Sequence, residues 1–301
     1  MIYTVTVNPS LDYIMRLKEF NPLTVNRTYE DAILAGGKGI NVSIMLQHLG
    51  HINTALGFIA GFTGDEIVRQ VRAEGCEENF IRLKKGNSRI NVKLKSQGET
   101  EINAQGPTIS EDEVTALFEQ LDQLQAGDTL ILSGSIPNTL PNTMYKDIMS
   151  RLTNRSIRII VDATNDLLLN VLPYKPFLIK PNNHELAAML KRDLPTKEDI
   201  IEGARQLQAQ GAQNVLVSMA GDGAILVDAT GAVHVHGVPN GTVVNSVGAG
   251  DSMVAGFLAG YLESEGNYKK ALDLGIAAGS ASAFNEWLAT REQVESLLER
   301  E

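Results

Sequence analysis

Patterns typical of strands and helices alternate along most of the chain, and this alternation constrains the fold more than any other feature. Residues 129–132 and 157–161 are short runs rich in apolar and β-branched side chains, and segments with helical character separate such runs. Ser110 with Glu113 is one of several capping signals that open these helices. Because a crossover between parallel strands must return over the sheet, the sequence predicts an α/β fold, a doubly wound and mostly parallel sheet flanked by helices.

Two segments, at about 11–35 and 87–106, do not follow this rhythm. Each contains short runs with strand character that are polar on one face and lack a helical period. The alternating runs at 88–95 and 99–103 are predicted to pair with each other. We expect these pieces to form a small β-sheet beside one large domain that spans residues 1–301.

Composition argues against several classes of partner. The formal net charge of −10 disfavours nucleic acid and anionic membranes, which require basic surface. The single cysteine excludes an internal disulfide, and five scattered histidines do not indicate a structural zinc site. Residues 1–7 lack the basic start of a signal peptide, and no apolar stretch is long enough to span a membrane. We therefore expect a cytoplasmic protein with no nucleic-acid and no membrane partner.

The loops that follow the predicted strands should carry the chemistry, because ligands on open α/β sheets gather at the carboxyl ends of strands. The most informative loop is Gly248-Ala249-Gly250, a small turn followed directly by Asp251 and an apolar helical run. Backbone N–H groups and the positive end of the helix dipole would make this turn an anion site. Asp251 is placed to take a proton from a substrate hydroxyl. The alternative is that Asp251 only caps the helix.

A second glycine-rich turn lies at 36–41 and fits neither a Walker A loop nor a dinucleotide fingerprint. Its glycines, Gly37 among them, would let backbone N–H groups approach a sugar. Lys38 would then meet a phosphate and Asn41 a hydroxyl. The alternative is a plain turn that opens a helix.

Arg89, Asn91 and Lys93 lie on one face of the strand predicted at 88–95, because side chains alternate along a strand. Three polar groups that face the same way, two of them cationic, suit the phosphate ester of a substrate. The alternative is a solvent-exposed sheet edge whose charges prevent aggregation.

Asn182 and Glu185 lie one helical turn apart, so they share a face and are candidates to hold hydrated Mg²⁺. The same pair also fits a capping box. Two further segments are candidates for contact with a nucleotide. The loop at 218–223 either runs along phosphates or is a turn between strands, and the small residues at 278–281 either leave room for a flat base or pack a helix. The nucleotide candidates are Ser218, Ala220, Gly221, Gly223, Gly250, Ala278 and Gly279.

Together these motifs resemble those of the ribokinase-like (PfkB) carbohydrate kinases, and the resemblance spans essentially the whole chain. Residues 245–258 fit the C-terminal signature of that family, and residues 36–41 fit its N-terminal glycine region. Within the family, one branch acts on sugars that already carry a phosphate. The segments that resemble this phosphosugar branch are 6–12, 37–42, 89–94, 133–137 and 180–182.

The resemblance implies a role for each candidate residue. Asp251 would be the catalytic base beside an anion hole formed by residues 248–250, and Asp12 and Asn41 would hold sugar hydroxyls. The phosphate already on the sugar would be contacted by Lys38, Arg89 and Lys93. Mg²⁺ would be organised by Asn182 and Glu185, and ATP would be contacted by residues 218–223. One departure concerns ATP, since Met219-Ala220-Gly221-Asp222 reverses the Gly-Ala order usual in the family.

The small sheet would be the family's lid, which often pairs two subunits in the phosphosugar branch, so the resemblance implies a homodimer through the lid. It also implies ATP-dependent phosphorylation of D-fructose 1-phosphate at O6. Two alternatives stay open, a kinase of tagatose 6-phosphate and, from another class, a sugar-phosphate sensor that binds without catalysis. A nicotinamide oxidoreductase ranks below both because no dinucleotide fingerprint is present.

Overall fold

The computed structural model describes residues 1–164 and 166–299, which fold into a large and a small β-sheet with helices around the large one. The strands are β1 (Ile2–Thr6), β2 (Ser10–Arg16), β3 (Glu30–Gly36), β4 (Thr54–Ile59), β5 (Glu77–Glu78), β6 (Ile81–Arg82), β7 (Arg89–Lys95), β8 (Glu99–Asn103), β9 (Thr129–Ser133), β10 (Arg158–Asp162), β11 (Leu178–Ile179), β12 (Asn214–Ser218), β13 (Ala224–Val227) and β14 (Val233–His236). The helices are α1 (Lys38–His48), α2 (Gly61–Ala73), α3 (Glu111–Leu121), α4 (Met144–Leu152), α5 (Asp166–Leu169), α6 (Asn183–Leu190), α7 (Lys197–Ala209), α8 (Ala249–Glu263), α9 (Tyr268–Ala283) and α10 (Arg291–Leu298), with short 3₁₀ turns at Leu172–Tyr174 and Ala220–Asp222.

The large sheet has the strand order β14-β13-β12-β11-β10-β9-β1-β4-β5, and β6 pairs with the end of β4. Its neighbouring strands are parallel except at one edge, where β13 is antiparallel to both β12 and β14. Parallel neighbours need long crossovers, which explains why helices separate them along the chain. The predicted α/β class, with a mostly parallel and doubly wound sheet, is confirmed.

Two hydrophobic cores lie on opposite faces of the large sheet. In β9, Leu130 and Leu132 belong to one core and Ile131 to the other, because successive side chains point to opposite faces. Helices α3, α4, α6 and α7 cover the first face, and α1, α8, α9 and α10 cover the second. A strand covered on both faces is apolar at successive positions, which is why these strands have no polar alternation in the sequence.

The small sheet has the order β3-β2-β7-β8 and draws its strands from both segments that break the βα rhythm. Strand β2 is antiparallel to β3 and parallel to β7, whose register pairs Asp12 with Asn91. Strands β7 and β8 form the predicted antiparallel pair. The extent of the single domain and the function of this sheet as a lid stay predictions.

Most predicted elements are present, and the exceptions have physical reasons. Strand β3 begins at Glu30 instead of near residue 25, because its register with β2 places Glu30 opposite the last residue of β2. Helix α4 begins three residues after Pro141, since a turn closed by the Met144 N–H and the Pro141 carbonyl precedes it. The two-residue strands β5 and β6 are too short to show a period. Helix α10 is predicted to continue to the end of the chain, but it ends at Leu298, and residues 300 and 301 lie outside the described residues.

Three further observations concern membranes, the single cysteine and metals. No helix in the described part of the chain combines the length and apolar character that crossing a membrane requires. Burial raises the pKa of the Cys76 thiol to about 12, so this thiol stays protonated at neutral pH. Within residues 1–164 and 166–299, no group of three or more His, Cys, Asp and Glu side chains is arranged to hold a metal ion. The cytoplasmic location stays a prediction.

Candidate active site

The candidate site lies at one edge of the large sheet, where neighbouring parallel strands end side by side. Ser133, Asp162 and Ser218 are the last residues of β9, β10 and β12, and Lys180 directly follows β11. The N-terminus of α8 reaches the same place, since a Cβ on Gly250 would lie 3.3 Å from Lys180 Nζ. This edge is where the topology of an open α/β sheet favours a ligand.

Asp251 is the third residue of α8, and its carboxylate is almost completely buried. Its Oδ2 atom accepts a hydrogen bond of 2.8 Å from Asn41 Nδ2, which joins the two glycine-rich motifs of the sequence. Burial raises the pKa of Asp251 above the ordinary value of an aspartate, against the opposing field of Lys38. Because Gly248 is the N-cap and no side chain of the described residues caps the helix, the interpretation of Asp251 as only a cap is wrong.

The first turn of α8 leaves backbone donors available. Gly248 has a left-handed φ of 79°, a conformation that favours glycine. The Ala249 N–H bonds to the Ser246 carbonyl at 3.3 Å, but the N–H groups of Gly250 and Asp251 donate to none of the described residues. Unpaired N–H groups at the positive end of a helix dipole are suited to an anion.

A buried ion cluster that the sequence analysis does not predict lies beside this turn. Asp162 Oδ1 accepts a hydrogen bond of 3.0 Å from Lys38 Nζ and lies 3.6 Å from Lys180 Nζ. Asp162 is fully buried and Lys180 nearly so, whereas 35% of the Lys38 side chain is exposed. The other carboxylate oxygen, Asp162 Oδ2, has no hydrogen-bond partner among the described residues. The available sequence signal is a charged residue directly at or after the end of β10 and β11.

The charges within this cluster stabilise one another. Burial alone would raise the pKa of Asp162, but Lys180 and Lys38 outweigh burial and hold that pKa below its ordinary value. Burial lowers the pKa of Lys38, but the carboxylates of Asp162 and Asp251 outweigh it, and the pKa is raised. At neutral pH, Asp162 is therefore a carboxylate and Lys38 an ammonium, and both lie close to the start of α8.

The N-terminal glycine region sets the position of Lys38 and Asn41. Gly37 is the N-cap of α1 with φ 114°, and a Cβ on it would lie 2.8 Å from Thr6 Cγ2. A Cβ on Gly39 would collide with the Thr6 hydroxyl. The glycines therefore let α1 start directly against the end of β1. The glycine region therefore opens a helix, which is the alternative given in the sequence analysis. It also brings Lys38 and Asn41 to the buried carboxylates of Asp162 and Asp251.

A second buried polar cluster lies in the small sheet. Asp12 Oδ1 accepts hydrogen bonds from Ser10 Oγ at 2.7 Å and from Asn91 Nδ2 at 3.0 Å, and Asp12 Oδ2 lies 3.2 Å from Lys93 Nζ. Asn91 and Lys93 are nearly fully buried because β7 lies inside the sheet, between β2 and β8. The interpretation of these side chains as a solvent-exposed edge is therefore wrong.

Arg89 begins the same strand and is only partly buried. Its Nε atom donates a hydrogen bond of 3.0 Å to the Asn8 carbonyl, and none of the described carboxylates lies within salt-bridge distance of its guanidinium. Burial lowers the pKa of Arg89, and the Asp12 carboxylate opposes this shift. A half-buried guanidinium without an ion pair is suited to an anionic ligand.

Asn182 and Glu185 form the predicted capping box at the start of α6. Asn182 Oδ1 accepts from the Glu185 N–H at 2.8 Å, and Glu185 Oε2 accepts from the Asn182 N–H at 2.8 Å. The pair also belongs to the site, because the Glu185 carboxylate helps to raise the pKa of Lys38. An isolated parallel β-bridge joins Asn182 to Ser218, which places the start of the candidate nucleotide loop beside this pair.

The remaining nucleotide candidates fall into two groups. Ala220 and Gly221 lie in an exposed 3₁₀ turn between the antiparallel strands β12 and β13. Gly223 has φ 90°, and a Cβ on it would collide with the His236 carbonyl, so close packing explains this glycine. The turn between strands is therefore confirmed, and its exposed backbone lies at the edge of the sheet that carries the site.

Ala278 and Gly279 lie inside the interface between α8 and α9. Ala278 is fully buried, and a Cβ on Gly256 would lie 2.7 Å from its Cβ atom. A Cβ on Gly279 would lie 3.0 Å from the Ala249 carbonyl oxygen. Small residues here let the two helices approach closely, so the packing alternative accounts for these contacts, and contact with a base stays a prediction.

Comparison with known proteins assigns a family to this arrangement. The model described as pfkB family carbohydrate kinase matches residues 6–290. A Bacillus subtilis protein named 1-phosphofructokinase is 47% identical over 298 residues, 99% of this chain and 97% of that protein. A Bacillus licheniformis D-tagatose-1-phosphate kinase is 38% identical over 96% of this chain and 94% of its own length. Phosphofructokinase-2 from Escherichia coli, solved with substrates and products, superposes with a TM-score of 0.94 at 28% identity, covering 99% of this chain and 98% of its own.

Proposed function

Because the chain belongs to the pfkB family of carbohydrate kinases, we propose that it transfers the γ-phosphoryl group of ATP to O6 of D-fructose 1-phosphate. The products are D-fructose 1,6-bisphosphate and ADP. The observation that carries the proposal is the buried Asp251 carboxylate beside the unpaired N–H groups at the start of α8. The full-length relative named 1-phosphofructokinase supports the choice of sugar.

In the proposed reaction, Asp251 accepts the proton of O6 while this oxygen attacks the γ-phosphorus. The bond from O6 to phosphorus forms, the bond to the bridging oxygen breaks, and ADP leaves. The hydrogen bond from Asn41 orients the carboxylate, and its raised pKa makes it a stronger base than an exposed aspartate. A well-placed base of this kind contributes about 10² to 10⁴-fold to the rate.

The charge on the transferring phosphoryl group is stabilised by groups already in place. We assign this role to the N–H groups of Gly250 and Asp251 and to the ammonium groups of Lys38 and Lys180. Asp162 is a positioning residue that holds the two lysines. Lys38 is part of this cluster and not of the small-sheet cluster, so it is assigned to the transferring phosphate instead of the phosphate on the sugar.

The small sheet supplies the groups for the other end of the sugar. Arg89 and Lys93 are assigned to the C1 phosphate, since Arg89 has no ion pair with any described carboxylate and both lie on one face of β7. Asn41 Oδ1 and Asn91 Oδ1 are buried without hydrogen-bond partners in the described residues, so they are available to accept from sugar hydroxyls. Both oxygens of Asp12 are already engaged, so its main role is to orient Lys93 and Asn91.

The residues at the start of α6 fit Mg²⁺, the ion expected with ATP. Glu185 Oε1 accepts no hydrogen bond from the described residues, and Asn182 offers a side-chain oxygen beside it. An ion that keeps several waters needs few protein oxygens, which agrees with the absence of a larger acidic cluster among the described residues. When bound, Mg²⁺ neutralises charge on the outer phosphates of ATP. The exposed backbone at 218–221 is assigned to contact with ATP.

A second candidate substrate is D-tagatose 1-phosphate, which the relative of 38% identity is named for. D-tagatose and D-fructose differ in configuration at C4, so both sugar phosphates place a phosphate at C1 and a free hydroxyl at C6. The groups proposed above suit either sugar. Tagatose 6-phosphate is less suited, because its phosphate occupies the oxygen that would be phosphorylated.

One assay tests the proposed function. ADP production would be measured over fructose 1-phosphate, tagatose 1-phosphate, tagatose 6-phosphate, fructose 6-phosphate and unphosphorylated fructose. We expect the highest kcat/KM with fructose 1-phosphate. A higher value with tagatose 1-phosphate would select the second candidate, and tight binding of a sugar phosphate without ADP release would identify a non-catalytic sensor.

The small sheet also exposes apolar side chains that a second copy of the chain would cover. Leu23, Val25, Tyr29, Ile33 and Ile102 are all well exposed on or beside its strands. Clusters of exposed apolar side chains are typical of association surfaces. We therefore propose a homodimer through this sheet, and sedimentation velocity at several concentrations would detect it. A monomer at all concentrations would refute the dimer without affecting the proposed reaction.

A further inference from the structure

A cavity of about 740 Å³ lies at the edge of the large sheet opposite the candidate active site. It lies where β10 and β11 begin, since Arg158 is the first residue of β10 and Phe177 directly precedes β11. Tyr174, Tyr261 and Tyr268 line the same cavity. Its volume lies within the range of about 300–1,000 Å³ that is typical of small-molecule sites.

Arg158 is one of the two charged residues that line this cavity. Its guanidinium carbon lies 5.2 Å from the ring centroids of both Phe177 and Tyr261, which themselves contact each other edge to face at 4.9 Å. One donor, Nη1, bonds to Thr129 Oγ1 at 3.0 Å, and none of the described carboxylates lies within salt-bridge distance. A guanidinium carries five N–H donors, so most remain free. A cation shielded by aromatic rings and lacking a counter-ion favours an anionic ligand.

The other residues that line the cavity are also positively charged or neutral. Lys175 adds a second positive charge, and no aspartate or glutamate is among the lining residues, although the whole chain carries a net charge of −10. Tyr261 and Tyr268 lie 5.4 Å apart between ring centroids and add apolar, flat surface. Aromatic rings pack best against other flat groups.

The backbone around the cavity adopts an uncommon conformation at three lining residues. Asn154, Ser156 and Lys175 have φ values of 66°, 55° and 55°, in the left-handed region. Such a conformation is unfavourable for residues with a Cβ and is retained where the surrounding structure requires it. Here all three residues line the cavity.

We propose that this cavity is a second ligand site, which binds a small organic anion with a flat, unsaturated body. The anionic group bonds to the free donors of Arg158, with Lys175 adding to the attraction, and the flat body packs against the tyrosine rings. Arg158 and Asp162 occupy opposite ends of β10, so about 13 Å of strand separates this site from the candidate active site. The proposed site is therefore separate from the candidate active site.

Phenyl phosphate is a suitable probe, and cyclohexyl phosphate is its matched control because it has the same charge and no aromatic ring. Binding to the full chain would be measured by isothermal titration calorimetry, without substrate, with saturating fructose 1-phosphate alone and with saturating ATP alone, so that no turnover occurs. We expect phenyl phosphate to bind about fivefold more tightly than cyclohexyl phosphate, and its affinity to be unchanged by the two substrates. Displacement of phenyl phosphate by either substrate, or equal affinity for the two probes, would overturn the proposal.

Substitutions identify the residues responsible. Arg158→Gln should weaken the binding of phenyl phosphate by about tenfold or more, as expected for loss of a charge-assisted hydrogen bond. Lys175→Gln should weaken the binding of phenyl phosphate about threefold, whereas Lys191→Gln should leave this affinity unchanged. Lys191 is a matched control, because it also ends a helical turn with a left-handed φ, 52°, but does not line the cavity. If Arg158→Gln does not fold, the two lysine variants decide, and equal affinity in both would refute the site.

Discussion

The candidate active site and the small sheet each contain a buried carboxylate paired with lysine, and the two clusters are built differently. Asp162 is held by Lys38 and Lys180, which come from separate elements and meet only because the strands of the large sheet end together. Asp12 is held by Ser10 on its own strand and by Asn91 and Lys93 on the adjacent strand. Both oxygens of Asp12 have partners, whereas Asp162 Oδ2 has none among the described residues.

This difference separates two kinds of contribution to function. A buried oxygen without a partner is costly and is rare unless a ligand, water or ion completes the site. The cluster around Asp162 is therefore arranged for groups that arrive with the substrates. The cluster around Asp12 satisfies both oxygens of that carboxylate and holds Lys93 and Asn91 in fixed positions, with Asn91 Oδ1 left without a partner among the described residues. Substitutions at the large sheet should thus affect turnover and stability, and substitutions in the small sheet should affect sugar binding.

The largest effect is expected for Asp251→Asn at the start of α8. The amide keeps the shape of the side chain but cannot accept the O6 proton, so kcat should fall by about a thousandfold, with the Kd of the sugar and of ATP nearly unchanged. Stopped assays of ADP and calorimetric titration would measure the two quantities. Asp112→Asn is the control, because Asp112 also lies in the first turn of a helix but is exposed, and its kcat should equal that of the wild type.

The pH dependence of the wild type follows from the same residue. Burial raises the pKa of Asp251, and only the deprotonated carboxylate can act as a base. The value of kcat/KM should therefore fall as the pH decreases, with an apparent pKa above that of an ordinary aspartate. A rate that stayed constant down to the ordinary aspartate pKa would contradict the assignment of Asp251 as base.

The second effect is on stability and concerns Asp162→Asn. This change leaves Lys38 and Lys180 without their shared counter-ion, and removing one partner of a buried ion pair costs about 3–5 kcal/mol. We expect the free energy of unfolding, measured in urea, to fall by about 3 kcal/mol. This is the lower end of that range, because Lys38 keeps contact with water. Asp122→Asn is the matched control, since Asp122 also lies between two basic side chains, Arg151 and Arg155, but at the surface. Asp122→Asn should lower the free energy of unfolding by only a small fraction of the loss expected for Asp162→Asn.

The sign of the pH effect on stability provides a further check. The pKa of Asp162 is lower in the folded protein than its ordinary value, so its contribution to stability is present above the ordinary aspartate pKa. That contribution is lost as the pH falls toward the lowered pKa of the folded state. The difference in unfolding free energy between the wild type and Asp162→Asn should therefore shrink in acid. A difference that stayed constant between pH 7 and pH 3 would contradict the charge assigned to Asp162.

The two clusters also differ in how far the sequence predicts them. Asn91 and Lys93 are predicted to share a face with Arg89, because the two-residue period of a strand is a local property. Asp162 and Lys180 are not predicted, since each is a single charge after an apolar run, and their meeting with Lys38 depends on the order of strands in the sheet. The fold class follows from the alternation of elements, but strand register, such as the start of β3, is fixed only by pairing with distant residues.

The third effect tests the small sheet through Arg89→Ala. Loss of a charge-assisted hydrogen bond to the C1 phosphate should raise the KM of fructose 1-phosphate by about ten- to a hundredfold, while the KM of ATP changes less than twofold. Arg82→Ala is the control, because Arg82 is exposed and pairs only with Asp65 among the described residues. If the KM of ATP rose instead, the phosphate on the sugar would lie elsewhere, and the functional separation of the two clusters would fail.

The smallest effect is expected for Asn182→Ala, which we compare with Ser110→Ala. The two substitutions remove capping boxes that are alike in geometry but differ in location. Ser110 and Glu113 cap α3 away from the candidate site, and Asn182 and Glu185 cap α6 beside Lys38. Ser110→Ala and Asn182→Ala should each lower the unfolding free energy by about 1 kcal/mol, as the loss of a cap does. Only Asn182→Ala should also lower kcat and raise the Mg²⁺ concentration needed for half-maximal rate. Equal kinetics in the two variants would mean that Asn182 stabilises the helix and has no part in the chemistry.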